Sequence, residues 1–199
     1  MINKEYFPSN SDTFRVEDNK KYSIDLLESE ELNNAIQLGH VTLGLIRPNV
    51  RNAVNFTCYS DDEARSVILA DISSLTVRSS FQIDLDEVAF WELYQGVYER
   101  QIEKHPESVY VMANKWYEFQ NLMTSGASTV LLLESENNRA VDIWRSQLGH
   151  WDIENTDDLT SLRGKFGTRN YNNLLHGSDD SMSALREVDV IARCARRVL

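Results

Sequence analysis

The chain has 199 residues, of which 42% are hydrophobic and 10% aromatic, enough apolar surface to build one folded domain with a substantial core. This composition excludes a disordered protein. Thirty-one acidic against twenty basic side chains give a formal net charge of −11. That charge repels a phosphate backbone and an anionic membrane surface, so general nucleic-acid binding is not expected.

Sequence-wide features also predict a cytoplasmic protein without a membrane span. The longest fully apolar runs, such as Val130 to Leu133, fall far short of the roughly 20 residues that cross a bilayer. The first residues lack the apolar core of a secretory signal. The two cysteines, Cys58 and Cys194, lie far apart in the sequence, so neither a metal cluster nor a disulfide framework is expected.

Hydrophobic periodicity predicts alternating strands and helices after residue 38. A β-rich apolar run at residues 41–46 predicts a central strand, which Pro48 ends. The alternation over residues 74–83 predicts a half-buried strand. Its apolar face is expected to carry Leu75, Val77, Phe81 and Ile83.

The remaining elements follow from the same periodicity and from helix-ending signals. They are helices at 61–73, 86–104, around 116–122, 137–148 and 181–199, and strands at 128–134 and 173–176. The order βαββαβ predicts a ferredoxin-like α+β sandwich, in which helices cover a four-stranded antiparallel sheet.

A change from polar to apolar sequence near residue 38 predicts the domain organisation. Residues 1–38 are polar and acidic and are expected to form an extension that is partly ordered at best. Residues 39–199 then carry the folded domain. Within it, the stretch 149–172 is long, polar and aperiodic, which is typical of functional segments in compact domains.

The densest group of reactive side chains is Asn172-Asn-Leu-Leu-His-Gly-Ser-Asp-Asp180, which places His176 in a small polar turn between a strand and a helix. Backbone N–H groups at a helix N-terminus favour an anion, so a phosphate could bind beside the imidazole. Glu187, in the last predicted helix, could hold one ring nitrogen and leave the other as a nucleophile. The alternatives are a histidine that only lines a turn and a solvated helix glutamate.

Three arginines flank the predicted functional segments. Arg47 ends the first strand, Arg145 lies near the end of a helix, and Arg163 lies in the long polar stretch. Converging guanidinium groups would neutralise a polyphosphate and the charge on a transferring phosphoryl group. Taken separately, each is more simply explained as a surface charge.

From Met123 onward, three segments match the pattern of one family: MTSGASTVLLLESENNRAVDIWRSQLG, SLRGKFG and NLLHGSDDS. They resemble nucleoside diphosphate kinases, in which a strand and a helix ending in Arg and Leu-Gly lead through Arg-Gly-Asp-Phe to Asn-x-x-His-Gly-Ser-Asp. The resemblance covers about residues 39 to 195. It is weaker before Met123, where TLGLIRPN resembles the family's first strand and LDEVAFWELY the helix that bears an active-site tyrosine.

The resemblance implies the roles of the histidine motif. His176 would be the phosphorylated nucleophile, with Glu187 holding it and Ser178 hydrogen-bonded beside it. Asn173 would contact the ribose and phosphates.

The resemblance further implies that Arg145 and Arg163 bind phosphate. Mg²⁺ is expected to bridge the nucleotide phosphates rather than to occupy a protein cage.

Several positions depart from the family pattern. Arg47 stands where the family has its catalytic lysine, which replaces a compact ammonium with a planar fork. The family tyrosine is expected to align with Phe90, with Tyr94 nearby as a substitute. Trp151 falls near a phosphate-contacting threonine. Asn170 falls where an apolar residue packs against the base, so the resemblance leaves base preference open.

We therefore predict a phosphotransferase that moves the terminal phosphoryl group of ATP or another nucleoside triphosphate to a nucleoside diphosphate through His176. A catalytically degenerate nucleotide-binding or scaffolding protein of the same fold is the alternative. A phosphorelay module without nucleotide ranks last, because it leaves the arginines and Asn173 unexplained. The chain is expected to form a homo-oligomer, either a dimer or a tetramer built from two dimers, since it lacks most of the family's C-terminal segment.

Overall fold

The computed structural model describes residues 23–48, 50, 60–152, 158–167 and 173–198. Four strands form one antiparallel sheet: β1 (Val41–Ile46), β2 (Thr76–Ile83), β3 (Ser128–Glu134) and β4 (Leu175–Gly177). They lie in the order β2-β3-β1-β4, so β1 is central as predicted. This arrangement confirms the ferredoxin-like α+β fold.

Helices cover both faces of the sheet. In chain order they are α1 (Glu30–Gln37), α2 (Asp61–Asp71), α3 (Glu87–Lys104), α4 (Val109–Met123), α5 (Ala140–Leu148), α6 (Leu162–Phe166) and α7 (Ser181–Val198). A short 3₁₀ turn, Pro106–Ser108, joins α3 to α4. None of the helices in the described part of the chain is both long and apolar enough to cross a bilayer.

Two hydrophobic clusters lie on opposite faces of the sheet, because β1 and β3 are covered on both sides. Along β3, Val130 and Leu132 belong to the α7-side cluster, which also includes side chains of α1, α3 and α4. Leu131 and Leu133 belong to the α5-side cluster, which includes side chains of α2 and α6. Burial on both faces explains why these strands are continuous apolar runs.

A bulge in β2 places the apolar side chains before it and those after it on opposite faces of the sheet. The register with β3 shifts between Val77 and Ser79, which interrupts the strict alternation of the strand. Val77 and Leu75 pack in the α5-side cluster, whereas Phe81 and Ile83 pack in the α7-side cluster. The prediction that these four side chains share one face is therefore wrong, because a one-residue shift exchanges the two faces.

Three element boundaries also differ from the prediction. The helix expected around 116–122 is α4, which begins about two turns earlier; its first residues, such as Tyr110 at 88% exposed, lack a buried face that periodicity could detect. The helix expected from residue 137 starts at Ala140, since Asn138 has a φ of 54°. β4 begins at Leu175 because Leu174 is also left-handed, with a φ of 64°.

The residues before β1 pack on the α7-side cluster. Residues 23–27 are helical, and Ser29 begins α1 by accepting a hydrogen bond from the Leu32 N–H group at 3.2 Å. Leu32 and Ile36 are completely buried. Arg78 of β2 donates to Glu31 at 2.7 Å. The boundary at residue 38 stays a prediction, but residues 23–38 contribute apolar contacts to the same core as α7.

We expect Leu32→Ala to lower the free energy of unfolding by about 2 to 5 kcal/mol, because it removes a completely buried side chain. Urea denaturation measures the change. The matched control is Leu38→Ala, whose side chain is 62% exposed and whose loss should stay within about 0.5 kcal/mol. Equally small changes in the free energy of unfolding of both variants would show that α1 contributes little to the stability of the domain.

Candidate active site

β4 places His176 at the edge of the sheet. His176 lies opposite Leu45 of β1, a residue of the α7-side cluster. Behind the strand, Trp144 Nε1 donates to the His176 carbonyl at 3.2 Å. A Cβ atom on Gly177 would come within 2.7 Å of Trp144 and 2.6 Å of Leu148. Glycine after the histidine therefore lets the strand lie directly on α5.

A strained turn precedes the histidine. The Leu175 N–H group donates to the Asn173 carbonyl at 2.8 Å across Leu174, whose φ is 64°. These three residues form a γ-turn, and the positive φ of the central residue makes it the rare, strained type. Arg47 N–H donates to the Leu174 carbonyl at 2.9 Å, which ties the turn to the end of β1. A left-handed leucine has no sequence signature, so sequence reasoning missed this feature.

The predicted contact between His176 and Glu187 is present. The imidazole Nε2 lies 2.8 Å from Glu187 Oε2, and the Ser178 hydroxyl donates to the same oxygen at 2.7 Å. A neutral imidazole that donates from Nε2 keeps its lone pair on Nδ1. None of the described residues forms a hydrogen bond with Nδ1, so this nitrogen can act as a nucleophile.

Glu187 remains ionised although it is only 4% exposed. Burial acts to raise the pKa of Glu187, but His176, Ser178 and Arg186 together outweigh it, and the pKa falls below its ordinary value. Arg186 contributes an ion pair to Glu187 Oε1 at 3.4 Å. The carboxylate is thus held in its charged form, the form that orients the imidazole.

The three predicted phosphate arginines converge near His176. Burial, followed by the charges of Arg47 and Arg145, lowers the pKa of Arg163 to about 10. Arg163 donates to the Leu175 carbonyl at 2.9 and 3.1 Å and to the Gly149 carbonyl at 3.1 Å. Three cations near one another repel, and backbone carbonyls offset part of that repulsion at Arg163. Such a cluster is suited to an anion.

Arg145 is more exposed than Arg163. Its guanidinium is ion-paired with Asp179, the aspartate that follows Ser178. Arg100 of α3 also approaches Asp179, at 4.0 Å. Exposed pairs of this kind contribute little stability, so Arg145 can exchange the carboxylate for a phosphate at small cost.

Asp180, the last residue of the acidic pair in the motif, has a structural role. Its carboxylate accepts a hydrogen bond from the Ser183 N–H group at 2.7 Å, which caps the start of α7. This bond lowers the pKa of Asp180.

Tyr94 is the aromatic residue that contacts the histidine. Its ring lies 5.4 Å from the His176 ring, edge to face at 79°, whereas Phe90 packs one turn earlier in the core. Tyr94 also interacts with Arg47, opposing the fall in the pKa of Arg47 that burial causes. Arg47 stacks on Phe119 with its guanidinium carbon 4.7 Å from the ring centroid. Of the two residues considered for the family tyrosine, it is therefore Tyr94, the expected substitute, whose ring contacts His176, and the alignment with Phe90 stays a prediction.

Asn173 lies between the histidine and the long polar stretch. Its side-chain Nδ2 donates to the Trp151 carbonyl at 2.9 Å. Its Oδ1 atom is buried without a hydrogen-bond partner among the described residues. A buried carbonyl oxygen without a partner retains the capacity to accept a hydrogen bond.

Three further predictions concern the cysteines, Asn170 and a metal site. Cys194 is a free, buried thiol whose pKa burial raises, while Cys58 lies outside the described residues. Asn170, predicted to alter the base contact, also lies outside them. No group of three or more His, Cys, Asp or Glu side chains within the described ranges could hold a metal ion.

The lowered pKa of Glu187 predicts how stability depends on pH. A carboxyl group with a depressed pKa in the folded state contributes stability above its ordinary value of 4.5 and loses it as pH falls through the folded value. Wild type should therefore be more stable than Glu187→Gln at about pH 7, and its advantage should shrink below about pH 4.5. Urea denaturation of both proteins across this range measures the difference.

Glu118→Gln is the control, because Glu118 is exposed and should change stability little at any pH. An advantage of wild type over Glu187→Gln that persisted unchanged into acid would contradict the assigned ionisation.

Comparisons with known proteins identify the family. The family model described as nucleoside diphosphate kinase matches residues 94–194, slightly more than half of the chain, and this range includes His176 and Glu187. A nucleoside diphosphate kinase of Ehrlichia ruminantium is 28% identical over 127 residues, which cover 64% of this chain and 82% of the relative. One from Methanocaldococcus jannaschii is 33% identical over 87 residues, covering 39% and 60%.

Solved structures show the same fold. The crystal structure of an NDP kinase from Pyrobaculum aerophilum aligns with a TM-score of 0.54 at 21% identity and covers 76% of this chain and 94% of that one. At this identity the likeness concerns the fold alone. Together with the match of the family model, it leads to one conclusion: the chain is a divergent member of the nucleoside diphosphate kinase family.

Proposed function

We propose that this protein transfers the terminal phosphoryl group of a nucleoside triphosphate to a nucleoside diphosphate through a phosphohistidine on His176. The observation that carries the proposal is the 2.8 Å contact between His176 Nε2 and Glu187. It commits one ring nitrogen to a carboxylate and leaves the other with its lone pair. Family membership supports the same reaction class.

The reaction would proceed in two displacements. The Nδ1 lone pair attacks the γ-phosphorus, and the bond from that phosphorus to the β-phosphate oxygen breaks, so that the diphosphate leaves with the electron pair. A second diphosphate then attacks the phosphohistidine with a terminal oxygen, and the N–P bond breaks. Throughout, Glu187 accepts the Nε2 proton in a hydrogen bond and stabilises the positive charge that develops on the ring.

The arginines supply the electrostatic part of catalysis. Arg145, Arg163 and Arg47 are proposed to bind the phosphates; Arg47 interacts with Tyr94, whose ring contacts His176. Arg163 is fixed by carbonyls of Leu175 and Gly149, so its position does not depend on a ligand. Preorganised cations stabilise a transition state without reorganising during the reaction.

Asn173 and Tyr94 would position the substrate and the nucleophile. The buried Asn173 Oδ1 atom is proposed to accept a hydrogen bond from a ribose hydroxyl. The Tyr94 ring packs edge to face on His176 and limits its rotation.

Mg²⁺ is proposed to enter with the nucleotide, where it supplies charge neutralisation on the phosphates. The side chains present fit this arrangement. The site offers guanidinium groups, which bind phosphate oxygens and repel a bare cation, and its nearby carboxylate Asp179 is paired with Arg145. The homo-oligomer and the cytoplasmic location stay predictions.

Arg47 favours a second candidate, a nucleotide-binding protein that has lost turnover. Arg47 is 5% exposed and its guanidinium is stacked on Phe119, which holds the charge in one orientation where the family has a lysine. Both candidates bind nucleotide, but only the first forms a covalent intermediate.

We expect wild-type protein incubated with γ-labelled ATP and Mg²⁺ to carry label on His176, stable to alkali and lost in acid. Adding a nucleoside diphosphate should discharge the label into triphosphate. His176→Ala should take up none, because it lacks the nucleophile. Peptide mapping of the labelled protein identifies the residue.

His105→Ala is the matched control, since His105 is exposed and lies at the C-terminal end of α3, beyond the Tyr94 that contacts His176, and it should label normally. Wild-type protein that binds nucleotide without labelling would overturn the phosphotransferase and establish the binding protein. Label on another histidine would refute the assignment of the site.

A further inference from the structure

Arg47 is a buried cation directly after β1. Only 5% of its surface is exposed, and burial acts to lower its pKa. Its backbone N–H group donates to the Leu174 carbonyl at 2.9 Å, so the main chain at Arg47 is fixed beside the strand that carries the histidine. An arginine side chain has several rotatable bonds. The position of its charge therefore depends on what the guanidinium contacts.

The ring of Phe119 supports the guanidinium of Arg47. The guanidinium carbon lies over the ring, 4.7 Å from its centroid, within the distance at which the negative face of an aromatic ring attracts a cation. This attraction offsets part of the hydration that burial removes. It also uses none of the N–H donors of the guanidinium and brings no negative charge that would compete with a phosphate.

The Phe119 ring is itself held in place by its neighbours. Phe119 lies on the buried side of α4, together with Trp116 and Met123. Its ring makes edge-to-face contacts with three other rings, at centroid distances of 5.3 Å to Phe90, 4.9 Å to Tyr94 and 5.5 Å to Trp116. Close packing of this kind leaves the ring little freedom to turn. Phe119 therefore offers the cation a fixed surface.

The same aromatic cluster links Arg47 to the histidine. The Tyr94 ring contacts both the Phe119 ring and the His176 ring, which lies 5.4 Å away between centroids. Arg47 and His176 thus contact neighbouring rings. Through these contacts the position of Phe119 determines where the charge of Arg47 lies relative to the histidine.

We propose that Phe119 is a positioning residue, which holds the Arg47 guanidinium ready to bind a phosphate group. The inference rests on the proposed function, in which Arg47 binds a phosphate of the nucleotide. A guanidinium that is already held loses less conformational entropy on binding than a free side chain does. Backbone carbonyls hold Arg163 in the same way, so two arginines are preorganised for one ligand by different means.

The test is titration calorimetry of the full chain with pyrophosphate and with ADP, both in the presence of Mg²⁺. Phe119→Leu keeps an apolar side chain but removes the ring. The affinity for both ligands should fall by the same factor, between about 3-fold and about 30-fold, which corresponds to the loss of one cation–π contact. In a chain that already carries Arg47→Ala, Phe119→Leu should change neither affinity, because no guanidinium remains to be held.

Two further variants separate this role from a general effect on the core. Phe119→Met, which replaces the ring with a flexible side chain, should give the same loss and supplies the result if Phe119→Leu does not fold. Phe81→Leu is the matched control. Phe81 packs against the same hydrophobic cluster but lies in β2, at the opposite edge of the sheet from β4. Urea denaturation should show a lower free energy of unfolding for Phe81→Leu, while both affinities stay unchanged.

Three results would overturn the assignment. Unchanged affinities in the Phe119 variants would show that Arg47 needs no support from the ring. A loss for ADP without a loss for pyrophosphate would assign Phe119 to the nucleoside part of the ligand. An equal loss with and without Arg47→Ala would show a general effect on the fold.

Labelling of wild-type His176 from ATP is scored separately. Wild type that binds both ligands but does not label refutes the phosphotransferase alone, and the affinities of the variants then still decide the role of Phe119. Wild type that binds neither pyrophosphate nor ADP refutes the proposed function and this inference together.

Discussion

The buried carboxylate of Glu187 is the interaction on which the candidate site depends. A charged group that is 4% exposed is stable only when hydrogen-bond donors and opposite charge replace its water. Here His176 and Ser178 donate to one oxygen, and Arg186 pairs with the other. The requirements of the carboxylate therefore fix the orientation of the imidazole, and that orientation determines which nitrogen keeps an unshared lone pair.

The residues on either side of His176 position β4 so that the imidazole reaches Glu187. The left-handed Leu174 and the absence of a side chain at Gly177 let β4 bend and then lie against Trp144. Strain of this kind persists only where the surrounding structure compensates for it. The backbone N–H group of Arg47 donates to the Leu174 carbonyl, and the Arg163 guanidinium donates to the Leu175 carbonyl. These two hydrogen bonds provide that compensation.

The charge of the site is opposite to that of the whole chain. The protein has a net charge of −11, which repels nucleotides at distances beyond the Debye length only weakly under physiological salt. Close to the site the three arginines dominate, and the fall in the pKa of Arg163 to about 10 reflects burial and their mutual repulsion. A bound polyphosphate would relieve that repulsion, so in the proposed reaction the same side chains would supply both binding energy and catalytic charge.

Much of the fold follows from sequence because the strands β1 and β3 are short apolar runs between clear turn signals. The motif also led to the contact between His176 and Glu187, which the structure contains, and Ser178 donates to the same carboxylate. Sequence could not reveal the bulge near Val77, the positive φ of Leu174 or which of Phe90 and Tyr94 contacts the histidine. Each of these depends on packing between elements that are distant in the chain, and none changes the local pattern of hydrophobic residues.

The central claim is that Glu187 holds the Nε2 proton and leaves Nδ1 as the reactive nitrogen of His176. The most direct measurement is ¹⁵N NMR of the full chain with labelled histidine, at a pH where the imidazole is neutral, with His176→Ala used to assign its signals. The structure predicts a protonated Nε2 and an unprotonated Nδ1 for His176. A signal showing the proton on Nδ1 would contradict the account.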